Sequence, residues 1–551
     1  MTVPRNSDDA KRFLISRRNL VGGTAAGAGA LALGALPGLS ALRPVAAQDA
    51  ESAILIGTLG DADTLNPFHS SDNSESEWRS KMLFDEFVRP DPESYAATPG
   101  IAASWEIADL SFTFTIQPSV TFSDGTELTA DDVKFTLEGL LNPQTASNAS
   151  VKFAPIAGAA EYMDGSADTV TGIEVVDPKT IKITLAEPNA AFLYNMRFIH
   201  VVPKALLEGK DLSKASTEPF FRDSPIGAGP YLFESWSPGA DFVANANPTF
   251  WESGKPTIQR LTHRTIADSA ALVNALQSGD IDGSLYPAPT LAQELEENPD
   301  LTLLVPPFTQ PNGSFFNCRE APLNDARVRR AIAMAVNVEE YVASSLLGLG
   351  EAGLGPIAPD SWAFDADLAP IPYDPEGAQA LLEEAGATGI ELNMICNSGN
   401  VLREDWLIRS QADLEAIGVT LNVEFIEWAT LVERVTVTYD FQIVGADFAG
   451  VTAEPSELFE QFHSTSASNN SGYSSPELDE LLTQAKQTLD PEAAKPIYAQ
   501  IQQHLMENVP MHWAWYRPFL YVVGADYAGY TNSNLDGGVF RTLAEMTGPV
   551  A

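Results

Sequence analysis

The sequence predicts a protein of mixed α/β and α+β structure that folds into at least two domains. Its 551 residues exceed what one hydrophobic core usually supports. Short alternating strands with a few helices run from Ile54 to about Tyr231, whereas regular alternation of helices and strands begins beyond about residue 310. With 44% hydrophobic and 9% aromatic residues, the chain can bury sizeable cores.

The first 47 residues are predicted to be a targeting segment. Arg17 and Arg18 precede a Gly/Ala/Leu stretch at 21–42, the pattern of a twin-arginine export signal. Pro37 interrupts this stretch, so we expect a cleaved signal rather than a membrane anchor, with cleavage after Ala47. No cysteine lies in this segment, so lipid anchoring there is not expected.

Removal of the signal leaves 26 Lys and Arg residues against 72 Asp and Glu residues. Nucleic acids and anionic membrane surfaces are bound by clustered positive charge, so this acidity excludes nucleic acid as a natural partner and argues against such membranes.

The first strands and helix are predicted from the run Phe112 to Leu141. Alternating apolar residues indicate two short strands on either side of Pro118. A turn at Ser123-Asp124-Gly125 follows, and Thr129 is placed to cap a helix whose apolar residues form one stripe. Next along the chain, alternation around Asp177-Pro178-Lys179 predicts a hairpin over 170–185. A helix is expected from Thr265 to Leu276, before a short strand.

In the second half, each helix has its own start or stop signal. Pro375 at a first helical position and Gly386 as the stop define one helix, and a strand follows at Ile390–Ile395. Another helix ends at Ile417-Gly418, before alternation from Val419 to Phe425. Ser475-Pro476-Glu477 opens a further helix.

The sequence carries none of the usual local signatures of an enzyme or a metal site. Gly348-Leu-Gly350-Glu-Ala-Gly353 follows a helical run, whereas a dinucleotide site needs such a motif after a strand, so we interpret it as a helix exit. The histidines are scattered, and neither a cofactor nor a metal is expected. Cys318 and Cys396 could pair or remain two buried thiols.

Three arginines, Arg327, Arg329 and Arg330, fall in the first turns of a helix that starts near Asn324-Asp325. Positive charge opposes the helix dipole there, so we expect an ion-pair partner. A salt bridge that secures the structure is preferred over a contact with ligand.

Six segments, in the same order along the chain, resemble those of a known family. They are Leu65-Asn66-Pro67-Phe68, Ile101-Ala-Ala-Ser-Trp105-Glu106, the run from Phe114 to Leu141, Pro225-Ile-Gly-Ala-Gly229-Pro230-Tyr231, Leu276-Gln-Ser-Gly279-Asp280-Ile-Asp282 and Val328-Arg329-Arg330-Ala331. Together they resemble the extracytoplasmic solute-binding proteins of ABC importers, in the peptide- and nickel-binding class called family 5.

The resemblance implies a bilobal periplasmic-binding-protein fold of the cluster C type, with a hinge of two crossings and an extra subdomain in lobe I. The implied boundaries are 1–47 for the twin-arginine signal peptide, 48–95 for the first part of lobe I, 96–225 for its extra subdomain, 226–310 for its continuation, 311–518 for lobe II and 519–551 for the return to lobe I. Two such lobes can close over a ligand in the cleft between them.

The resemblance also places candidate ligand-binding residues. They are Ser314, Phe315, Phe316 and Asn317 on one strand, Trp428, Asp447 and Phe448, and Trp513 and Trp515 on a returning strand. Aromatic side chains suit such a cleft, although each could instead pack in a core. Peptide-binding members carry Gly-Trp-x-Ala-Asp-Tyr-x-Asp-Pro where this chain has Gly445-Ala-Asp447-Phe448 with a longer spacing to Glu454-Pro455, which leaves the acidic anchor uncertain.

The implied function is the binding component of an ABC transporter, a monomer that delivers an oligopeptide or similar small solute to membrane permease subunits from the periplasm or the extracellular side. No catalysis is expected. Three alternatives stay open: a secreted enzyme that uses distant carboxylates, a sensory solute-binding protein, and a binder of a non-peptide solute such as a sugar, an opine or a metal chelate.

Overall fold

The computed structural model describes residues 52–72, 74–92, 96–306, 311–359, 361–446, 454–516, 519–532 and 538–548. The predicted signal segment and the candidate residues Asp447 and Phe448 lie outside these ranges. Among the described residues, no helix has both the length and the apolar character needed to span a membrane.

The strands, in chain order, are β1 (Ala53–Thr58), β2 (Val88–Pro90), β3 (Ala97–Pro99), β4 (Ala102–Ala108), β5 (Ser111–Ile116), β6 (Ile173–Asp177), β7 (Thr180–Thr184), β8 (Tyr231–Trp236), β9 (Asp241–Ala246), β10 (Arg260–Thr265), β11 (Gly283–Leu285), β12 (Leu301–Leu304), β13 (Pro311–Phe316), β14 (Glu351–Ala352), β15 (Glu391–Asn397), β16 (Thr420–Ile426), β17 (Ile443–Gly445), β18 (Met511–Tyr516) and β19 (Tyr521–Gly524).

The α-helices are α1 (Ser74–Phe84), α2 (Ala130–Leu141), α3 (Ser150–Phe153), α4 (Ala159–Met163), α5 (Phe192–Asn195), α6 (Lys204–Leu207), α7 (Ser269–Ser278), α8 (Ala292–Glu296), α9 (Ala326–Ala335), α10 (Val338–Ser344), α11 (Pro375–Glu384), α12 (Val401–Ala416), α13 (Trp428–Thr436), α14 (Glu457–Phe462), α15 (Pro476–Gln487) and α16 (Pro491–Asn508).

Two larger sheets divide the described chain into two lobes. The first lobe contains a seven-stranded sheet in the order β12-β19-β11-β1-β10-β9-β8 and a four-stranded antiparallel sheet in the order β4-β5-β7-β6. The second lobe contains a six-stranded sheet in the order β14-β18-β13-β17-β15-β16, with helices α9 to α16. Each lobe buries its own large hydrophobic core, as its apolar patterning requires. The predicted mixed architecture is confirmed.

The chain passes between the lobes twice, and in each lobe the two passages are attached to neighbouring strands. The first crossing joins β12 to β13, and the second joins β18 to β19. In the first lobe Leu304 is paired with Tyr521, and in the second lobe Pro311 is paired with Tyr516. The strand ends from which the two crossings leave therefore lie side by side in each lobe.

The local predictions in the first lobe are largely confirmed. Gly125 has φ +86°, and the Asp124 carboxylate accepts the N–H of Thr126 at 2.9 Å. A capping box links Thr129 and Asp132 at the start of α2. The expected second strand after Pro118 is reduced to an isolated bridge between Thr121 and Glu127.

The hairpin over 170–185 is formed by β6 and β7. The helix expected from Thr265 begins later, because Thr265 still pairs in β10 and Asp268 supplies the N-cap by accepting the N–H of Ala271 at 2.7 Å. Capping therefore decides this boundary.

In the second lobe the predicted helices and strands are all present as α11, β15, α12, β16 and α15. The glycine run at Gly348 follows α10 and enters β14, which pairs with β18. It is a helix exit, as predicted, because no strand precedes it.

The expected ion pair is present at Arg327, which contacts Asp325 and Glu384, whereas Arg329 forms no salt bridge with any described residue. Its guanidinium is buried and donates to the main-chain carbonyls of Leu323, Asn508 and Val509 at 2.5–3.2 Å. Asn508 and Val509 end helix α16, and the last carbonyls of a helix are without partners inside it. The cation therefore caps α16, and the preference for a structural role over a ligand contact is consistent with this position.

Candidate functional site

The directions of the strands locate a shared edge in each lobe. In the second lobe β15 runs parallel to β16 and β17, and β13 runs antiparallel to both β17 and β18. The carboxyl ends of β15, β16, β17 and β18 therefore lie at one edge, and β18 ends there just before the second crossing.

The first lobe has the same arrangement. Strand β1 is parallel to β10 and β11, and β19 is antiparallel to β11 and β12. The carboxyl ends of β1, β10, β11 and β12 consequently share the edge from which the first crossing leaves. We call these two edges the crossing edges. In open α/β sheets, ligands bind outside the carboxyl ends of the strands, so the crossing edges are the candidate site.

At the crossing edge of the second lobe, an aromatic side chain and a cation lie together. Trp428 starts α13 directly after β16 and is 48% exposed. The Arg403 guanidinium lies 5.7 Å from the centre of the Trp428 ring, and it donates to the side-chain oxygen of Asn397, the last residue of β15, at 2.7 Å. Such a group offers an apolar face beside a fixed positive charge.

Arg403 was not among the predicted site residues. It lies in the first turn of α12, whose N-cap is Asn400, and this helix starts just after β15. A signal for it was present, because a capped helix that follows a strand presents its first turn at the carboxyl edge of that strand.

Trp513 and Trp515 lie on opposite faces of β18. Trp515 is opposite Asn312 and Trp513 is opposite Gly313, so Ala514 is the extra residue of a β-bulge. Gly313 has φ +152°, and a Cβ there would lie 2.0 Å from the carbonyl oxygen of His512, so only glycine fits. The Trp513 ring lies 5.9 Å from that of Phe462, whereas Trp515 lies 5.1 Å from Tyr341.

The indole N–H of Trp515 is the most informative atom at this edge. Trp515 is 1% exposed and precedes the last residue of β18, yet its Nε1 has no hydrogen-bond partner within the described part of the chain. The comparable indole of Trp406 donates to the Ser314 hydroxyl at 3.0 Å. Buried donors are nearly always paired, so a water molecule or a solute oxygen would satisfy this indole N–H.

The other candidates on β13 extend away from the crossing edge. Ser314 is opposite Gly445, the last residue of β17, and Phe316 is opposite Ile443, the first. Phe315 and Phe316 are buried, with the Phe315 ring 6.0 Å from that of Phe441. The Asn317 amide donates to the carbonyls of Tyr439 and Phe441 at 3.0–3.1 Å. Their roles as ligand contacts stay predictions, as do those of Trp428, Trp513, Trp515, Asp447 and Phe448.

The crossing edge of the first lobe adds residues that the sequence did not single out. Tyr286 directly follows β11 with φ +57°, and its ring lies 5.5 Å from Phe519 on the second crossing. A residue that is not glycine adopts this conformation at some cost, which is common at binding sites. Beyond β1, Asp61 accepts bonds from Arg79 at 2.5 Å and from the N–H of Gly239 at 2.6 Å. Burial lowers the pKa of Arg79, and Asp61 opposes that shift.

Comparisons with known proteins give the family. Residues 96–470 match the family described as bacterial extracellular solute-binding proteins, family 5. The chain is 28% identical to di/tripeptide-binding protein 2 of Pseudomonas aeruginosa over 439 residues, and the aligned region covers 76% of this chain and 81% of that protein.

Solved structures show the same fold. The oligopeptide-binding protein AppA from Bacillus subtilis, in complex with a nonapeptide, matches with a TM-score of 0.77 at 24% identity over 91% of this chain and 99% of that chain. NikZ from Campylobacter jejuni, in complex with Ni(L-His), matches with a TM-score of 0.76 at 25% identity over 90% and 99%. The predicted periplasmic-binding-protein fold is confirmed, and the relatives from Pseudomonas aeruginosa and Bacillus subtilis are named as binding proteins.

With a family match that spans most of the chain, and with two lobes joined by paired crossings, this chain belongs to the family 5 bacterial extracellular solute-binding proteins and is the substrate-binding component of an ABC transporter.

Proposed function

We propose that this protein captures a peptide between the two crossing edges and delivers it to the permease subunits of an ABC importer. The observation that carries this proposal is the indole N–H of Trp515, which has no partner among the described residues and lies beside a crossing, on the same edge as Trp428 and Arg403. A peptide offers carbonyl oxygens to such a donor and apolar side chains to Trp428. The relatives named as di/tripeptide- and oligopeptide-binding proteins support this solute class.

The first experiment identifies the solute. Native mass spectrometry of gently purified protein should reveal a retained ligand, and calorimetry should then measure its affinity against peptides of increasing length. Peptide binding with compaction in small-angle scattering is the expected result. Saturable binding of non-peptide solutes alone would contradict the proposal.

A matched pair of variants tests the role of Trp515. Trp515→Phe and Trp406→Phe remove the same volume and the same N–H from buried positions of one lobe. Among the described residues, Trp406 has a protein acceptor and Trp515 has none, so Trp515→Phe should weaken peptide affinity about fivefold to tenfold, whereas Trp406→Phe should lower stability more than affinity. Unchanged affinity in Trp515→Phe would remove this residue from the site.

A metal chelate is the second candidate solute. It is favoured by the structural match to NikZ, which was solved with Ni(L-His). Calorimetry with nickel and histidine, together and separately, distinguishes it from a peptide.

Export, assembly and boundaries complete the proposal. Arg17-Arg18 supports export by the twin-arginine route, with cleavage after Ala47. Replacement of both arginines by lysine should retain the protein in the cytoplasm, and mass spectrometry of exported protein should show Gln48 first.

We further propose that the exported protein is a monomer, which light scattering checks. The start of β13 at Pro311 and the end of β18 at Tyr516 support lobe boundaries at 311–518.

A further inference from the structure

A second contact joins the lobes at a place distinct from the crossings. In the first lobe, residues 187–190 lie in the connection between β7 and α5. In the second lobe, Lys486 lies in the last turn of α15. The N–H of Ala190 donates to the carbonyl of Lys486 at 2.9 Å, and the Lys486 ammonium lies 3.7 Å from the Glu187 carboxylate. Neither segment adjoins a crossing in the sequence.

This contact completes the end of a helix. The last carbonyls of an α-helix have no partner inside it. In α15, Thr488 donates its hydroxyl to the carbonyl of Gln484 at 2.7 Å and its N–H to that of Ala485 at 3.1 Å. The next carbonyl, that of Lys486, is capped by Ala190 from the other lobe. Separation of the lobes would leave this carbonyl to water.

The side chain of Lys486 is held on both sides. Its ammonium lies 4.1 Å from the ring centre of Phe459 in α14, and its side chain is 15% exposed, whereas Glu187 is 57% exposed. The Phe459 contact belongs to the second lobe alone, so it fixes the direction in which the ammonium faces Glu187. The positive charge is also favourable at a helix C-terminus.

We propose that residues 187–190 and Lys486 form a clasp that stabilises the closed arrangement of the lobes and slows the release of solute. The inference rests on the proposed function, because the clasp would retain whatever the crossing edges bind. Glu187 is largely solvated, so the ion pair contributes modestly, and the main-chain hydrogen bond acts together with it.

Charge reversal tests the clasp. Lys486→Glu places a carboxylate opposite Glu187, and the double variant Glu187→Lys with Lys486→Glu restores an opposite-charge pair. The matched control is Lys495→Glu, which makes the same charge change at an exposed lysine whose partner, Glu492, lies in the same helix at 2.7 Å. Lobe separation is measured between spin labels at Asp168→Cys and Glu415→Cys, two exposed positions on different lobes.

Lys486→Glu should shift the label distances toward the open arrangement and accelerate solute release about fivefold, whereas Lys495→Glu should resemble the parent protein. The double variant should move part of the way back toward the parent, because it restores the ion pair but not the contact with Phe459. Equal distances and equal release rates in Lys486→Glu and the parent would overturn the clasp, as would a double variant that shows no recovery relative to Lys486→Glu. The distance measurement needs no solute. If Lys486→Glu shifts the label distances but the parent protein binds no peptide, the clasp is supported and the proposed solute is wrong.

Discussion

Replacement of Arg329 by methionine should destabilise the second lobe without weakening solute binding. The guanidinium makes four hydrogen bonds to three main-chain carbonyls, two of which end α16. Hydrogen bonds to charged groups contribute about 1.5–3 kcal/mol each, but their sum is reduced because the buried charge itself is costly to desolvate. Methionine keeps much of the aliphatic packing. We therefore expect a loss of about 3–5 kcal/mol.

Thermal unfolding followed by circular dichroism measures this loss. For a unit of 150–250 residues, each kcal/mol lowers Tm by roughly 2–4 °C, so the transition of the second lobe should fall by about 10 °C. Affinity at 25 °C should persist, because Asn508 and Val509 precede the start of β18, at the edge remote from the crossings.

The control is Arg327→Met, the same substitution two residues earlier in the same helix. Arg327 is 44% exposed and contacts Asp325 and Glu384 at the surface, so little change in Tm is expected. Equal stability of the two variants would refute the capping argument. Lost affinity at unchanged Tm in Arg329→Met would assign Arg329 to the ligand.

Two further outcomes follow from buried titratable groups. Burial lowers the pKa of His512 to about 3, so the stability that its neutral form contributes is complete above the ordinary pKa near 6.5 and is lost as pH falls toward 3. His512→Phe should therefore reduce the fall in Tm between pH 7 and pH 4. An unchanged dependence of Tm on pH in this variant would contradict the argument. Cys318 and Cys396 are free thiols, and burial raises their pKa to about 11 and about 12. An alkylating reagent should therefore add two groups to the protein only after denaturation. A mass increase of two hydrogens on reduction would instead reveal a disulfide.

The sequence predicted those parts of the fold whose signals are local. Hairpin β6–β7, helix α2 and helix α11 each carry their periodicity and their end signals within a short run. The start of α7 was misplaced because the residues before Asp268 are apolar enough for either a strand or a helix, and pairing with β1 decides between them.

The candidate site depended on information that no short segment contains. Alternation along β18 would place Trp513 and Trp515 on one face, yet the bulge at Ala514 separates them, and it is visible only in the pairing with β13. Likewise, Arg329 suggested an ion pair because its partners, the last carbonyls of α16, are main-chain groups about 180 residues away and are therefore invisible in a residue pattern.

The pairing at the crossings has a consequence for how the chain is built. Since Leu304 faces Tyr521 and Pro311 faces Tyr516, the whole second lobe is an insertion whose two ends meet. A tight turn between β12 and β19 could replace the second lobe and leave the chain of the first lobe continuous. The second lobe itself consists of one uninterrupted segment of the sequence, residues 311–516. We therefore expect the two lobes to be separable modules, so that lobes from related binding proteins can be exchanged at this junction to recombine their specificities.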